Sequence, residues 1–200
     1  MNLPETGLTA SDEEVVAETR AWVIRAVIGL NLCPFAKAPA VRNQIRYRVS
    51  TAADTQALLE SLCTELDTLA AADPAVIETT LLIHPRVLAD FADFNDFLDI
   101  ADAALEARGL AGVLQMASFH PRYRFAGTEP DDLGNATNRS PYPTLHLLRE
   151  ASVDRAVASF PRPAPIFEAN IRTLEALGAA GWTALQEQCR RDAQAAQDPA

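Results

Sequence analysis

His84-Pro85-Arg86 and His120-Pro121-Arg122 repeat one tripeptide, and each copy closes an apolar run. The chain has three histidines, so the repeat takes two of them. An imidazole can accept or donate a proton near neutral pH. A guanidinium two residues on can bind a carboxylate or phosphate through paired donors. If the two runs are parallel, adjacent strands, both rings and both guanidinium groups meet beyond the strand ends, where open α/β sheets bind ligands. Strand side chains alternate faces, so His84 goes with Leu82 and Thr80, and His120 with Ser118 and Met116. Proline also ends strands for its own reasons, and a histidine there often just bonds a nearby loop. His120 opens a polar loop, where function concentrates, and so ranks above His84 as the acid/base candidate.

That loop, residues 121–143, is the second constellation. Glu129, Asp131, Asp132, Asn135, Asn138, Arg139 and Ser140 lie within twelve positions. Asp132 is the candidate base, orienting group or cation ligand. Asn135, Asn138, Arg139 and Ser140 are candidate substrate contacts. Arg122, Arg124 and Arg149 are candidate anion binders, and His84 a further substrate contact. The plainer reading is that Asn and Asp make turns by bonding their own backbone.

His146 is the third candidate. Pro143 suits the first turn of a helix. On a helix, His146, Arg149 and Glu150 share a face. Near a helix start, His146 would have a lowered pKa and favour anions. It reads as an acid/base group, an anion contact or a surface histidine. Three histidines invite zinc and the loop carboxylates invite magnesium. No metal-ligand spacing supports either, so a metal stays an open question. No Gly-x-Gly-x-x-Gly or Walker loop follows a strand, which favours hydrolysis or group transfer over dehydrogenation.

Cysteines occur at 33, 63 and 189, an odd count with no Cys-x-x-Cys pair, so no disulfide framework is expected. Cys33-Pro34-Phe35-Ala36 looks like the active-site turn of glutaredoxins and omega-type glutathione transferases, with alanine in place of the second cysteine. In those families the cysteine follows a strand and opens a helix, where the dipole lowers its pKa. Here an amphipathic helix precedes it. Cys33 is the nucleophile of the rival reading, a thiol redox protein. Cys63 lies on a core stripe. A second rival is a non-catalytic anion- or metal-binding module.

The elements that must place these residues follow from patterning. Residues 1–10 read as frayed, 11–180 as a single α/β domain, and 181–200 as a C-terminal helix with a disordered tail. Ser11 with Glu14 is a capping box ahead of a helix that ends near Asn31 to Cys33. Strands are expected over 45–49, 76–83 and 112–119. Helices lie between them, one stopped by Asp73-Pro74 and one by Gly109, with a break near Asn95. Tyr123 to Phe125 offers a short extra strand. Helical patterns return at 144–159, 166–177 and 182–196. Alternating strands and helices predict a small, mostly parallel sheet of three or four strands, flanked by helices and joined by right-handed crossovers.

With 48% hydrophobic residues the chain can bury a full core, and its net charge of -10 argues against nucleic acid and anionic membranes as partners. No apolar stretch is long enough to span a bilayer, and no signal peptide is apparent, so a cytoplasmic protein is expected. Within the acidic chain, 120–149 still carries Arg122, Arg124, Arg139 and Arg149.

Three motifs have a joint resemblance. Asn31-Leu32-Cys33-Pro34-Phe35-Ala36, Phe119-His120-Pro121, and Asn138-Arg139-Ser140-Pro141-Tyr142-Pro143 with Leu145-His146-Leu147-Leu148-Arg149-Glu150 resemble an uncharacterised bacterial family, a domain of unknown function. The resemblance covers about residues 12–180 and implies a compact bacterial protein; it implies no mechanism. The residues themselves predict an enzyme for a small anionic substrate, a phosphate or carboxylate compound. His120 would be the acid/base group held by Asp132, under the 121–143 loop.

Overall fold

The first helix begins where the capping box places it. Ser11 Oγ accepts the Glu14 N–H at 3.2 Å, and the Glu14 carboxylate accepts the Ser11 N–H at 2.6 Å. In the computed structural model, which describes residues 10–158 and 164–197, α1 spans Asp12–Trp22 and runs on as a π-helical turn, Val23–Ile28. Asn31, at φ 54°, turns the chain away. The remaining elements are α2 (Lys37–Val41), β1 (Ile45–Val49), α3 (Thr55–Ala71), β2 (Thr79–Ile83), α4 (Phe91–Ala107) and β3 (Leu114–Phe119). A 3-10 turn (Leu133–Asn138), β4 (Thr144–Arg149), α5 (Glu150–Ala158) and α6 (Ala164–Gln197) follow.

Local signals account for most boundaries. Asp54 caps α3 through the Ala57 N–H, and Asp90 caps α4 through the Ala92 and Asp93 N–H groups. Gly109, at φ 67°, carries the left-handed turn that ends α4. α4 runs unbroken through Asn95. The patterns at 166–177 and 182–196 form one kinked helix, bent at Gly178 (φ 70°, ψ 168°). Residues 1–9 of the expected frayed start, residues 159–163 and the end of the tail (198–200) lie outside the described residues.

The protein is α/β, with a four-stranded sheet in the order β1-β2-β4-β3. β1 and β2 are parallel, and β4 is antiparallel to both β2 and β3. β1, β2 and β3 therefore point one way, and the last strand threads back between two of them. This corrects two expectations. β2 and β3 are not adjacent, and 144–149 is strand, so the helix begins only at Glu150. A short apolar run such as Leu145-His146-Leu147-Leu148 carries no periodicity that separates strand from helix. The one-strand gap between β2 and β3 decides it, because it offers ladder partners on both sides. Tyr123 to Phe125 adds no strand. The Tyr123 N–H goes to His120 O and the Phe125 N–H to Asn135 Oδ1, which leaves neither for a ladder.

Alternation sorts two cores onto the two faces of the sheet. Leu82, Leu145 and Leu147 pack under α3 and α4 with Leu58, Leu62, Leu66, Phe94 and Phe97. Leu81, Ile83 and Val49 face α1 and α6 with Val15, Trp22, Leu174 and Trp182. No helix among the described residues is long and apolar enough to cross a membrane.

Candidate functional site

β2 and β3 end at the same edge of the sheet, so the two His-Pro-Arg copies do meet there. Both rings lie on the α3/α4 face. His84 is 0% exposed and His120 1%. Phe94 of α4 sits between them: its ring centroid is 5.6 Å from His84, nearly stacked, and 5.1 Å from His120. Phe91 adds a contact to His120 at 5.4 Å and one to Tyr123 at 5.2 Å. The sequence shows Phe91 and Phe94 only as a helix stripe; nothing local marks them as the wall of a histidine pair.

The turn after the first copy is tied down by both copies. Val87 O accepts from His84 Nδ1 at 3.2 Å, Leu88 O from His120 Nε2 at 3.2 Å, and Ala89 O from Arg122 Nη2 at 2.5 Å. Leu88 itself is left-handed, at φ 59°, a costly conformation for a leucine that these bonds hold in place. The start of β4 closes the edge. The His84 N–H donates to Pro143 O, the His120 N–H to Asn138 O, and Asn138 Nδ2 to Ser118 O.

These partners settle the tautomers. His120 Nδ1 accepts the Arg122 N–H at 3.0 Å, so its proton is on Nε2 and both nitrogens are engaged. His84 donates through Nδ1, so its Nε2 is a lone pair, buried and without a hydrogen-bond partner among the described residues. Burial pushes the pKa of each ring down to about 4; for His84 the Val87 bond offsets this in part, and for His120 the Leu88 bond does. Both rings are neutral at pH 7, which lets them pack together without repulsion.

The loop residues mostly hold the loop. Asp132 Oδ2 accepts the Glu129 N–H at 2.9 Å, and its carbonyl accepts the Asn135 N–H. It makes a turn and does not bond His120. Arg139 donates to Tyr123 O and Pro130 O, and burial pushes its pKa down. Ser140 Oγ donates to Tyr142 O at 2.6 Å. Asn135 is 0% exposed; its Oδ1 accepts from Phe125 N and Thr128 Oγ1, and its Nδ2 donates to Glu129 O. Asn135→Ala leaves several buried groups unpaired and is expected to cost about 3 kcal/mol. Urea titration measures the loss, and limited proteolysis should move to residues 121–143. An unchanged midpoint would show the amide to be dispensable.

His146, Arg149 and Cys33 do not join the His84–His120 pair. His146 is on a strand, not a helix, and faces α1 and α6. Its Nε2 donates to Thr79 Oγ1 at 2.7 Å, whose own proton goes to Leu147 O, and burial pushes its pKa to about 4. Arg149 is at the opposite end of the sheet. It donates to Leu69 O, Ala72 O and Ile77 O, and so closes the end of α3. It does not share a helix face with His146. Cys33 sits in the turn after the π-helical segment, and burial raises its pKa, opposite to what a reactive thiolate needs. Arg124 is exposed and has no ion pair or hydrogen bond among the described residues. Among those residues no three His, Cys, Asp or Glu side chains come together as a metal-ligand set.

The family model for a protein of unknown function, DUF1415, matches residues 14–184, and the chain belongs to that family. No curated protein and no solved structure matches it. Its three motif segments converge in space: Leu32, Cys33, Phe119 and Tyr142 all pack on the α1/α6 core beside the sheet end where His84 and His120 lie.

Proposed function

We propose that this member of the DUF1415 family is an enzyme for a small anionic substrate, a phosphate or carboxylate compound. The reaction class is hydrolysis or group transfer, with His84 as the proton acceptor. One observation carries the reading: His84 Nδ1–H is fixed on a backbone carbonyl while Nε2 is left bare. That is the arrangement in which a histidine base works, because the first bond sets the tautomer and ring orientation. A buried lone pair without a donor is a standing cost that a substrate hydroxyl or a water nucleophile would relieve. Arg124, exposed and without an ion pair or hydrogen bond among the described residues, is the cation free to hold the anion; Arg122 is 62% exposed, but its Nη2 already donates to Ala89 O and lies 3.5 Å from Asp90, so it would have to exchange these contacts. His120 becomes a positioning residue, because both its nitrogens hold the protein's own backbone.

The ring signals of the three histidines test this by nitrogen-detected NMR. An anion beside a neutral imidazole favours its charged form. Saturating inorganic phosphate should therefore raise the His84 pKa from about 4 and shift its Nε2 signal. On a panel of phosphate and carboxylate esters, His84→Gln should lower turnover by roughly 10²–10⁴-fold. A His84 signal that ignores both phosphate and small carboxylates sinks the reading.

A further inference from the structure

The sheet has two edges, and they are treated differently. At the β3 edge, Asn138 Nδ2 covers Ser118 O at 3.0 Å. At the β1 edge nothing comparable is present among the described residues. Gln44 O accepts the Glu78 N–H and the Ser50 N–H donates to Ile83 O, so even-numbered positions of this segment face β2. By alternation, Ile45, Tyr47 and Val49 direct their N–H and C=O groups outward.

Beside that edge runs a groove of about 720 Å³, a volume that suits a ligand. Its walls include Val16, Arg20 and Ile24 of the first helix and its π-helical extension, and Tyr47, Arg48 and Val49 of β1; Asp12, Glu13 and Asp192 also line it, Asp12 paired with Arg86 and Asp192 with Arg25. Ile24 is 53% exposed, a large apolar side chain left in the open. The Arg20 guanidinium lies 5.1 Å over the Tyr47 ring. On the other face of β1, Glu65 is held in two bonds by Arg46, at 2.7 and 3.1 Å. Arg48 pairs with the same carboxylate at 3.6 Å and its side chain is 59% exposed, so two guanidinium groups share one carboxylate on this face.

We propose that this edge binds an extended peptide segment of alternating acidic and apolar residues, added to the sheet as a fifth strand. The outward backbone groups of Ile45, Tyr47 and Val49 supply the ladder, as in other strand-addition sites. Apolar side chains of the guest enter the groove, and acidic ones face Arg48 and Arg46. Charge selects this occupant over a second copy of the chain. Antiparallel pairing of two β1 strands centred on Tyr47 would set Arg46 opposite Arg48, and like charges in directly opposed positions destabilise a pair. The proposal is independent of the histidine site.

The test uses the full chain and a short blocked, fluorescein-labelled peptide alternating valine and glutamate. Saturable polarisation is expected, about tenfold tighter than for the analogue with lysine in place of glutamate. Amide exchange should slow at Ile45, Tyr47 and Val49 and stay unchanged at Arg46 and Arg48, which are already paired. Arg48→Glu should reverse the preference, and N-methylation of alternate peptide amides should abolish binding. Three results overturn the proposal: no binding, binding without protection of the odd-numbered amides, or a free chain that is already a dimer with those amides protected.

Discussion

Lowering the pH from 7 to 5 should remove about 4 kcal/mol of folding stability through His84 and His146 alone. Both have a folded pKa near 4 against an ordinary 6.5. A depressed pKa in a base means that the unfolded chain takes up protons that the folded chain refuses. Stability then rises with pH between about 4 and 6.5, is fully present above that window, and is lost as pH falls through it. Each ring contributes about 3 kcal/mol at the limit, since one unit is 1.36 kcal/mol. His120 acts with the same sign. Set against a total of roughly 5–15 kcal/mol, this predicts acid unfolding well above the range in which most carboxylates titrate. Asp90 and Asp192, whose pKa values are lowered by hydrogen bonds, lose their effect only at lower pH still. Urea midpoints at pH 7.5, 6 and 5 measure the slope. His146→Gln should make it shallower. A midpoint that is flat from pH 7 to 5 would show that the rings are not held neutral by the fold.

Arg149→Met should cost about 4 kcal/mol, more than any other single arginine. Its Nη2 group serves three carbonyls, at 2.7, 2.7 and 3.1 Å, and two of these end α3. Leu69 O has otherwise only the Ala72 N–H at 3.3 Å, and the helix dipole leaves negative charge at this end. Methionine fills the space and removes every donor. Lysine keeps the charge as a compact tip, so Arg149→Lys should recover about half the loss. Chemical denaturation reads the difference directly. An anion-binding role predicts the reverse: Met at 149 would leave stability alone and weaken phosphate binding.

These two residues show where the sequence is legible. His146 and Arg149 lie in a run whose chemistry is plain and whose secondary structure is not. Read as a helix, the run puts both on one face near an anion. As a strand it puts the histidine under α1 and α6, and the arginine at the far end of the sheet. His84 and His120 read better. Each follows a strand that its own alternation and proline stop define, and parallel strands share an edge even with another strand between them. Their bonding differs: the ring that opens the loop has both nitrogens engaged, and the one that opens the turn has one without a partner among the described residues. That difference rests on the Leu88 carbonyl and the Arg122 amide, backbone groups that no residue type reveals.

What the sequence determined by itself is what short-range physics controls. The Ser11–Glu14 box, the Asp54 and Asp90 caps, the Gly109 stop and the first three strands all depend on neighbours within a few positions. The motifs in turn placed the chain in its family. That β4 enters between β2 and β3, that Asp132, Arg139 and Arg149 bond the protein's own backbone, and that His84 Nε2 has no partner among the described residues were decided by the assembled fold alone. Each of these depends on which distant backbone groups are left unpaired when the elements close, and that is a property of the assembled fold.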